Sequence, residues 1–147
     1  MDSKINMGIT AVIFDLDNTL TDRAESIRHF SRQFFQDFKD MLHELVSFDE
    51  VQRVINIGDG SGYRPKAMLF QEIQTELRWV DMPTLATISD YWYRVSAQRM
   101  VLRSGVQMTL EALQQRGYTL GMITNGQTNV QNATIDATKL RAYFSNI

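Results

Sequence analysis

The sequence predicts an α/β protein in which a block of helices is inserted after the first strand of a parallel sheet. Two apolar runs predict the sheet, Ile9 to Phe14 (ITAVIF) and Tyr118 to Ile123 (YTLGMI), and each stops at a sharp polar turn. Short, near-continuous runs of this kind suit strands covered on both faces. Between them the period changes. From Asp22 to about Leu102 apolar residues recur at three- and four-residue steps, as in amphipathic helices. Strands separated by helices imply parallel order, because parallel neighbours need a crossover connection.

Along the chain, the first strand gives way at Asp15 to Asp15-Leu16-Asp17-Asn18-Thr19. A helical stripe then runs through Ile27, Phe30, Phe34, Phe38, Met41, Leu42 and Leu45. Asn56 to Pro65 (NIGDGSGYRP) is polar and glycine-rich and reads as a loop, with Pro65 opening the next helix. Phe70, Ile73, Leu77 and Val80 form a second stripe, broken at Asp81-Met82-Pro83. Leu85, Ile88, Trp92, Val95 and Arg99 form a third. Val106, Leu110 and Leu113 mark a helix that Gly117 closes. After the second strand comes Thr124-Asn125-Gly126, and Val130, Ala133, Ala137 and Leu140 predict a last helix. Two strands do not complete a parallel sheet, so the α/β part is expected to be cut short at its C-terminal side.

Composition narrows the chemistry. The 147 residues carry a net charge of −2, which gives no general attraction to nucleic acid or to an anionic membrane. There are no cysteines, so thiol nucleophiles and thiolate metal sites are excluded. Two histidines, His29 and His43, cannot form an all-imidazole zinc site, and a metal here would be held by oxygen, which favours Mg²⁺. The N-terminus lacks a signal-peptide core and no segment is apolar enough to span a bilayer, so a cytoplasmic location is expected.

Ligands of open α/β sheets bind beyond the carboxyl ends of the strands, where both polar turns lie. Asp15 and Asp17 stand two residues apart, a spacing that can aim both carboxylates at one site. Close carboxylates repel unless a cation relieves them. A divalent metal would keep the first ionised, and the second could carry a proton as general acid.

Asp15-Leu16-Asp17-Asn18-Thr19-Leu20 after a hydrophobic strand resembles the first signature of the haloacid dehalogenase-like hydrolases. Ile123-Thr124-Asn125-Gly126 resembles the second, and the helical insert resembles the helical cap of one subclass. The resemblance implies a Rossmann-like core over residues 1–21 and 103–147 and a cap over 22–102. It implies a Mg²⁺-dependent phosphatase acting on a small phosphorylated metabolite, with Asp15 as nucleophile and metal ligand. Asp17 would be acid, base and a metal ligand through its carbonyl. Thr124 would bind the phosphoryl group through its hydroxyl, and the backbone N–H groups of Leu16, Asp17 and Asn125 would cradle it. Asp17 favours phosphatase over dehalogenase chemistry, which lacks an acid there. A phosphomutase is a weaker option.

The family also expects a later lysine and further metal-binding aspartates. The 21 residues after Gly126 contain Lys139 and Asp136, but in a helix-like stretch too near the second turn, so neither is assigned these roles. The chain's closing residues, Tyr143 to Ile147, resemble the approach to a further strand. The alternative is a truncated remnant that binds a ligand or partner without turnover. An unpaired sheet edge would then invite self-association.

Plainer readings compete for each motif. Asp15 to Thr19 is not a calcium loop, since Leu20 replaces the glycine such a loop needs at its sixth position. As a helix-capping turn it is ordinary, and so is Thr124-Asn125-Gly126 taken alone. The loop at Gly58 to Gly62 lacks the lysine of a phosphate-binding P-loop and reads as a connector, with Tyr63 and Arg64 its candidate substrate contacts. The phenylalanine stripe reads as packing, and one ring among Trp79, Tyr91, Trp92 and Tyr93 could line the substrate mouth.

Overall fold

The computed structural model describes residues 8–147. Strand β1 (Ala11–Phe14) pairs in parallel with β2 (Thr119–Met122), with Val12 opposite Leu120 and Phe14 opposite Met122. Both short runs stop where their polar turns begin, so Asp15 and Thr124 follow the same end of the sheet. Alternation places Val12, Phe14, Leu120 and Met122 on one face. That face packs into a cluster with Leu16, Leu110, Ile135, Leu140 and Phe144. The expected burial on both faces is not met. Ile9, Ile13 and Ile123 are 78%, 64% and 68% exposed, because no helix of the described residues covers the second face. The far edge of β2 is met by the chain's last residues: Met122 N–H donates to Asn146 O at 3.0 Å, in a parallel bridge between Gly121 and Asn146.

Helix α1 (Arg23–Asp37) starts at Asp22, whose side chain accepts from Glu25 N–H at 3.0 Å. It ends earlier than its stripe. Phe38 caps it, and the following turn packs edge to edge with residues 78–81: His43 N–H donates to Arg78 O, and Met41 O accepts from Val80 N–H. Phe38, Leu42 and Val46 stay buried through this turn, so a non-helical segment reproduces helical spacing, while Leu45 points outward. Val80 is likewise exposed, being outside any helix.

The sequence reading passed over helix α2 (Phe48–Asp59). Its signal was present in Ser47 and Glu50, an S-x-x-E start in which the Ser47 hydroxyl accepts from Glu50 N–H at 3.2 Å. The helix also claims Asn56 to Asp59, read from sequence as loop. Gly58 is helical because it lies against the next helix: a Cβ there would meet Leu69 Cδ1 at 2.7 Å. Ser47→Ala is expected to cost about 1 kcal/mol, read as a lower urea midpoint with unchanged slope. An unaltered midpoint would show that the cap contributes nothing.

Helix α3 (Lys66–Glu76) follows Pro65 as expected, and α4 (Leu85–Val95) is capped by Thr84. Arg99 falls in a short 3₁₀ turn, Ala97–Arg99. Phe30, Phe34, Phe38, Ile55, Leu69, Ile73, Ile88, Tyr91 and Trp92 form a second hydrophobic cluster, separate from the one beneath the sheet. The helical block leaves and rejoins the α/β layer through adjacent segments: Asp22 N–H donates to Val101 O at 2.7 Å and Arg103 N–H to Leu20 O at 2.9 Å. Helix α5 (Val106–Gln115) precedes β2, and α6 (Thr128–Ala137) follows it.

Candidate active site

The turn after β1 is built around one carbonyl. Leu16, itself fully buried, accepts from Leu20 N–H at 3.0 Å and Thr21 N–H at 3.1 Å, which curls the chain back on itself. The curl puts Asn18 at φ +61°, a left-handed conformation that asparagine tolerates better than most residues. Asp15 is exposed, and the Thr19 hydroxyl donates to its Oδ2 at 2.9 Å. Asn18 Nδ2 reaches Ser61 O at 3.3 Å, tying this turn to the loop between α2 and α3.

A cleft of about 530 Å³ lies between the helical block and the turns. Asp15, Asp17, Asn18, Asn125 and Gly126 line it from the sheet side. Tyr63, Trp92 and Tyr93 bring rings to the opposite wall. Gln131, on α6, joins the two turns. Its Nε2 donates to Asp17 Oδ2 and to Asn125 O, both at 3.0 Å. Gly126 (φ +147°) gives it room, since a Cβ there would collide with the Gln131 amide.

Thr124 lies in an adjoining depression with Ile13, Phe14, Asp15 and Asn125. Its hydroxyl is buried and has no hydrogen-bond partner among the described residues. A buried polar atom is rarely left so without a ligand or water to satisfy it. Of the two loop candidates, Tyr63 lines the cleft. Arg64 does not: its guanidinium grips Glu72 (2.5 and 2.9 Å) and Ile57 O (2.8 Å). Asp136 is paired with Arg141 at 2.5 Å, and neither it nor Lys139 lines the cleft.

Three charged residues that sequence reasoning missed sit on the helical side. Asp59 is 1% exposed; its Oδ2 accepts from Arg23 Nε at 2.7 Å, and its Oδ1 from Arg23 Nη2 at 2.6 Å and Lys66 Nζ at 2.7 Å. Burial pushes the Asp59 carboxyl up, but Arg23 and Lys66 outweigh it and hold the group below its ordinary value. Burial likewise works against the Arg23 guanidinium, and Asp59 more than restores it. Arg23 Nη1 stands 4.0 Å from Asp17 Oδ1. Arg23 and Asp59 are 36 residues apart, so no local spacing announces the pair. Gln131 and Asp17 are 114 apart.

The donor set also bears on a metal. Among the described residues no three His, Asp or Glu side chains converge. One carboxylate with a backbone carbonyl beside it fits the sparse protein coordination that Mg²⁺ accepts when substrate oxygens and water complete its shell.

The fold is shared with solved hydrolases at low identity. YfnB from Bacillus subtilis, described as a HAD-hydrolase bound to magnesium, is 18% identical with a TM-score of 0.66, covering 95% of this chain and 62% of that one. A Thermotoga maritima protein described as a β-phosphoglucomutase is 17% identical with a TM-score of 0.65, covering 94% of this chain and 60% of that one. L-2-haloacid dehalogenase from Xanthobacter autotrophicus is 14% identical with a TM-score of 0.59, covering 95% of this chain and 56% of that one. This chain therefore spans about three fifths of the length of these structures. No curated protein matches it by sequence. The family model for haloacid dehalogenase-like hydrolases matches residues 12–147, and the chain belongs to that family.

Proposed function

We propose that the protein is a Mg²⁺-dependent phosphatase of small phosphorylated metabolites, working through an aspartyl-phosphate on Asp15 in the cytoplasm. The observation that carries this reading is the convergence of Asp15, Asp17 and Asn125 on one cleft beside the unpartnered Thr124 hydroxyl. A carboxylate oxygen of Asp15 attacks phosphorus as the bond to the leaving oxygen breaks. Asp17 gives that oxygen its proton. In the second step Asp17 takes a proton from water, whose oxygen attacks the aspartyl-phosphate and releases inorganic phosphate with Asp15 restored. Thr124 and the N–H groups of Leu16, Asp17 and Asn125 serve as donors to the phosphoryl oxygens.

Mg²⁺ held by Asp15 and the Asp17 carbonyl would neutralise charge on those oxygens. The magnesium in the YfnB structure supports this choice of ion. Asp17 supports phosphatase over dehalogenase chemistry, since a halide leaves without a proton. Among the described residues β1 has no strand on its outer side, and that open sheet edge supports self-association as a further property.

The test is release of phosphate from an aryl phosphate by the purified chain. Turnover is expected with Mg²⁺ and not with a chelator. A folded chain that releases no phosphate under either condition would defeat the reading and favour a noncatalytic ligand-binding role.

A further inference from the structure

We infer that Gln131 is a positioning residue for proton transfer. Its amide ties Asp17 to the turn that cradles the phosphoryl group, and it occupies Asp17 Oδ2 so that Oδ1 moves the proton. The inference rests on the phosphatase reading of Asp15 and Asp17 and adds a residue to their reaction.

A glutamine side chain carries two N–H donors on one nitrogen. Both are in use here, one on Asp17 Oδ2 and one on Asn125 O, each at 3.0 Å. The two acceptors belong to different turns, the one after β1 and the one after β2. Turning the amide over would set its Oε1 against two oxygens, so its surroundings fix its orientation. Gln131 therefore holds the separation between the proton donor and the N–H of Asn125 that meets the phosphoryl group. Neither turn alone could do this.

The fold keeps a place for that amide. Gln131 lies on the first turn of α6, close above Gly126. A Cβ at Gly126 (φ +147°) would collide with the Gln131 amide nitrogen and stand 3.1 Å from its Cδ. A glutamine that only reached into solvent would need no such gap.

The Asp17 side chain is 30% exposed, and the outer torsion of an aspartate is broad, so its partners must set the direction of its oxygens. Gln131 takes Oδ2. Oδ1 makes no hydrogen bond among the described residues, and Arg23 Nη1, the cation that faces it, stands 4.0 Å away, beyond hydrogen-bond reach. In the first step the proton on Oδ1 passes to the leaving oxygen, which keeps the electron pair of its broken bond to phosphorus. In the second step Oδ1 takes a proton from water as the water oxygen bonds to phosphorus and the bond to Asp15 breaks. Gln131 keeps both its protons throughout, and as a neutral amide it restrains the carboxylate without adding charge to the cleft.

Initial rates with phenyl phosphate and para-nitrophenyl phosphate in the presence of Mg²⁺ test this. The two substrates share a ring, but only the phenyl leaving group depends strongly on a proton. kcat/KM is the quantity to compare, because it reports the steps up to phosphoryl transfer onto Asp15. Wild type is expected to hydrolyse both. Gln131→Met keeps the length and removes both donors. Its kcat/KM for phenyl phosphate should fall about 10–100-fold, the cost of a misplaced catalytic group. For para-nitrophenyl phosphate the fall should be no more than about threefold. Gln131→Glu, which sets a like charge against Oδ2, should show the same split between substrates. Melting of each variant is followed alongside. Equal losses on the two substrates, no loss on either, or losses that merely track melting overturn the role of Gln131 and leave the phosphatase reading standing. No turnover of either substrate by wild type removes that reading and this inference with it.

Discussion

Replacing Asp15 with asparagine is expected to abolish metal-dependent phosphate release, a loss of at least about 10⁴-fold, as when an enzyme nucleophile is removed. An amide oxygen is a far weaker nucleophile than a carboxylate, and the variant also loses the negative charge that would face Mg²⁺. The fold has little reason to change. Asp15 is exposed, and an asparagine Oδ1 can still accept the Thr19 hydroxyl, so stability should move by no more than about 0.5 kcal/mol. Asp17→Asn separates the second role from the first. Its loss should be about 10²–10⁴-fold for an alkyl phosphate, whose leaving oxygen needs the proton. For an activated aryl phosphate it should be smaller, because that leaving group departs without help. A folded Asp15→Asn chain retaining a tenth of wild-type turnover would show that phosphoryl transfer does not pass through Asp15.

The elements that carry these two aspartates were legible because their signals are local. A β-branched run that halts at Asp15, and a second that halts at Thr124, mark parallel strands with their turns at one end, and β1 and β2 pair that way. Pro65 marks the start of α3, and Gly117 the end of α5, for equally local reasons. What was not legible depends on distant neighbours. Asn56 to Asp59 look like loop until Gly58 is seen against Leu69. Leu42 keeps helical spacing while pairing with Trp79 in a bridge. Ile13 was expected to be buried because a near-continuous apolar run suits a strand covered on both faces, but the covering layer on that face is not among the described residues. The same division runs through the site. Asp15 and Asp17 stand out by spacing, whereas Gln131, Arg23, Asp59 and Lys66 acquire meaning only when the helical block folds over the turns.

Asp59→Asn should be the most damaging single polar substitution in the helical block, costing about 3–5 kcal/mol of stability. The amide offers one acceptor where the carboxylate offers two, and its Nδ2 donors would point at the donors of Arg23 or Lys66. Two partly buried cations then face each other without the carboxylate that separates them. The pH dependence identifies the cause. Because the folded Asp59 carboxyl is held below its ordinary value, its contribution is fully present above about pH 4 and is lost as pH falls through the lower folded value. Glu25 and Asp136 are also held low by their arginine partners, so wild type loses stability in acid for several reasons. The diagnostic quantity is the difference between wild type and Asp59→Asn, which should narrow as pH drops below about 4. A gap that stays constant in acid would mean that shape, not charge, holds Asp59 in place. Exchanging all three charges for apolar groups, as Arg23→Met, Asp59→Leu and Lys66→Met together, should recover most of the loss, since buried ion clusters seldom outperform good packing. That variant should melt near wild type. A triple variant that stays as unstable as Asp59→Asn would show that the ion cluster contributes net stability that packing does not replace.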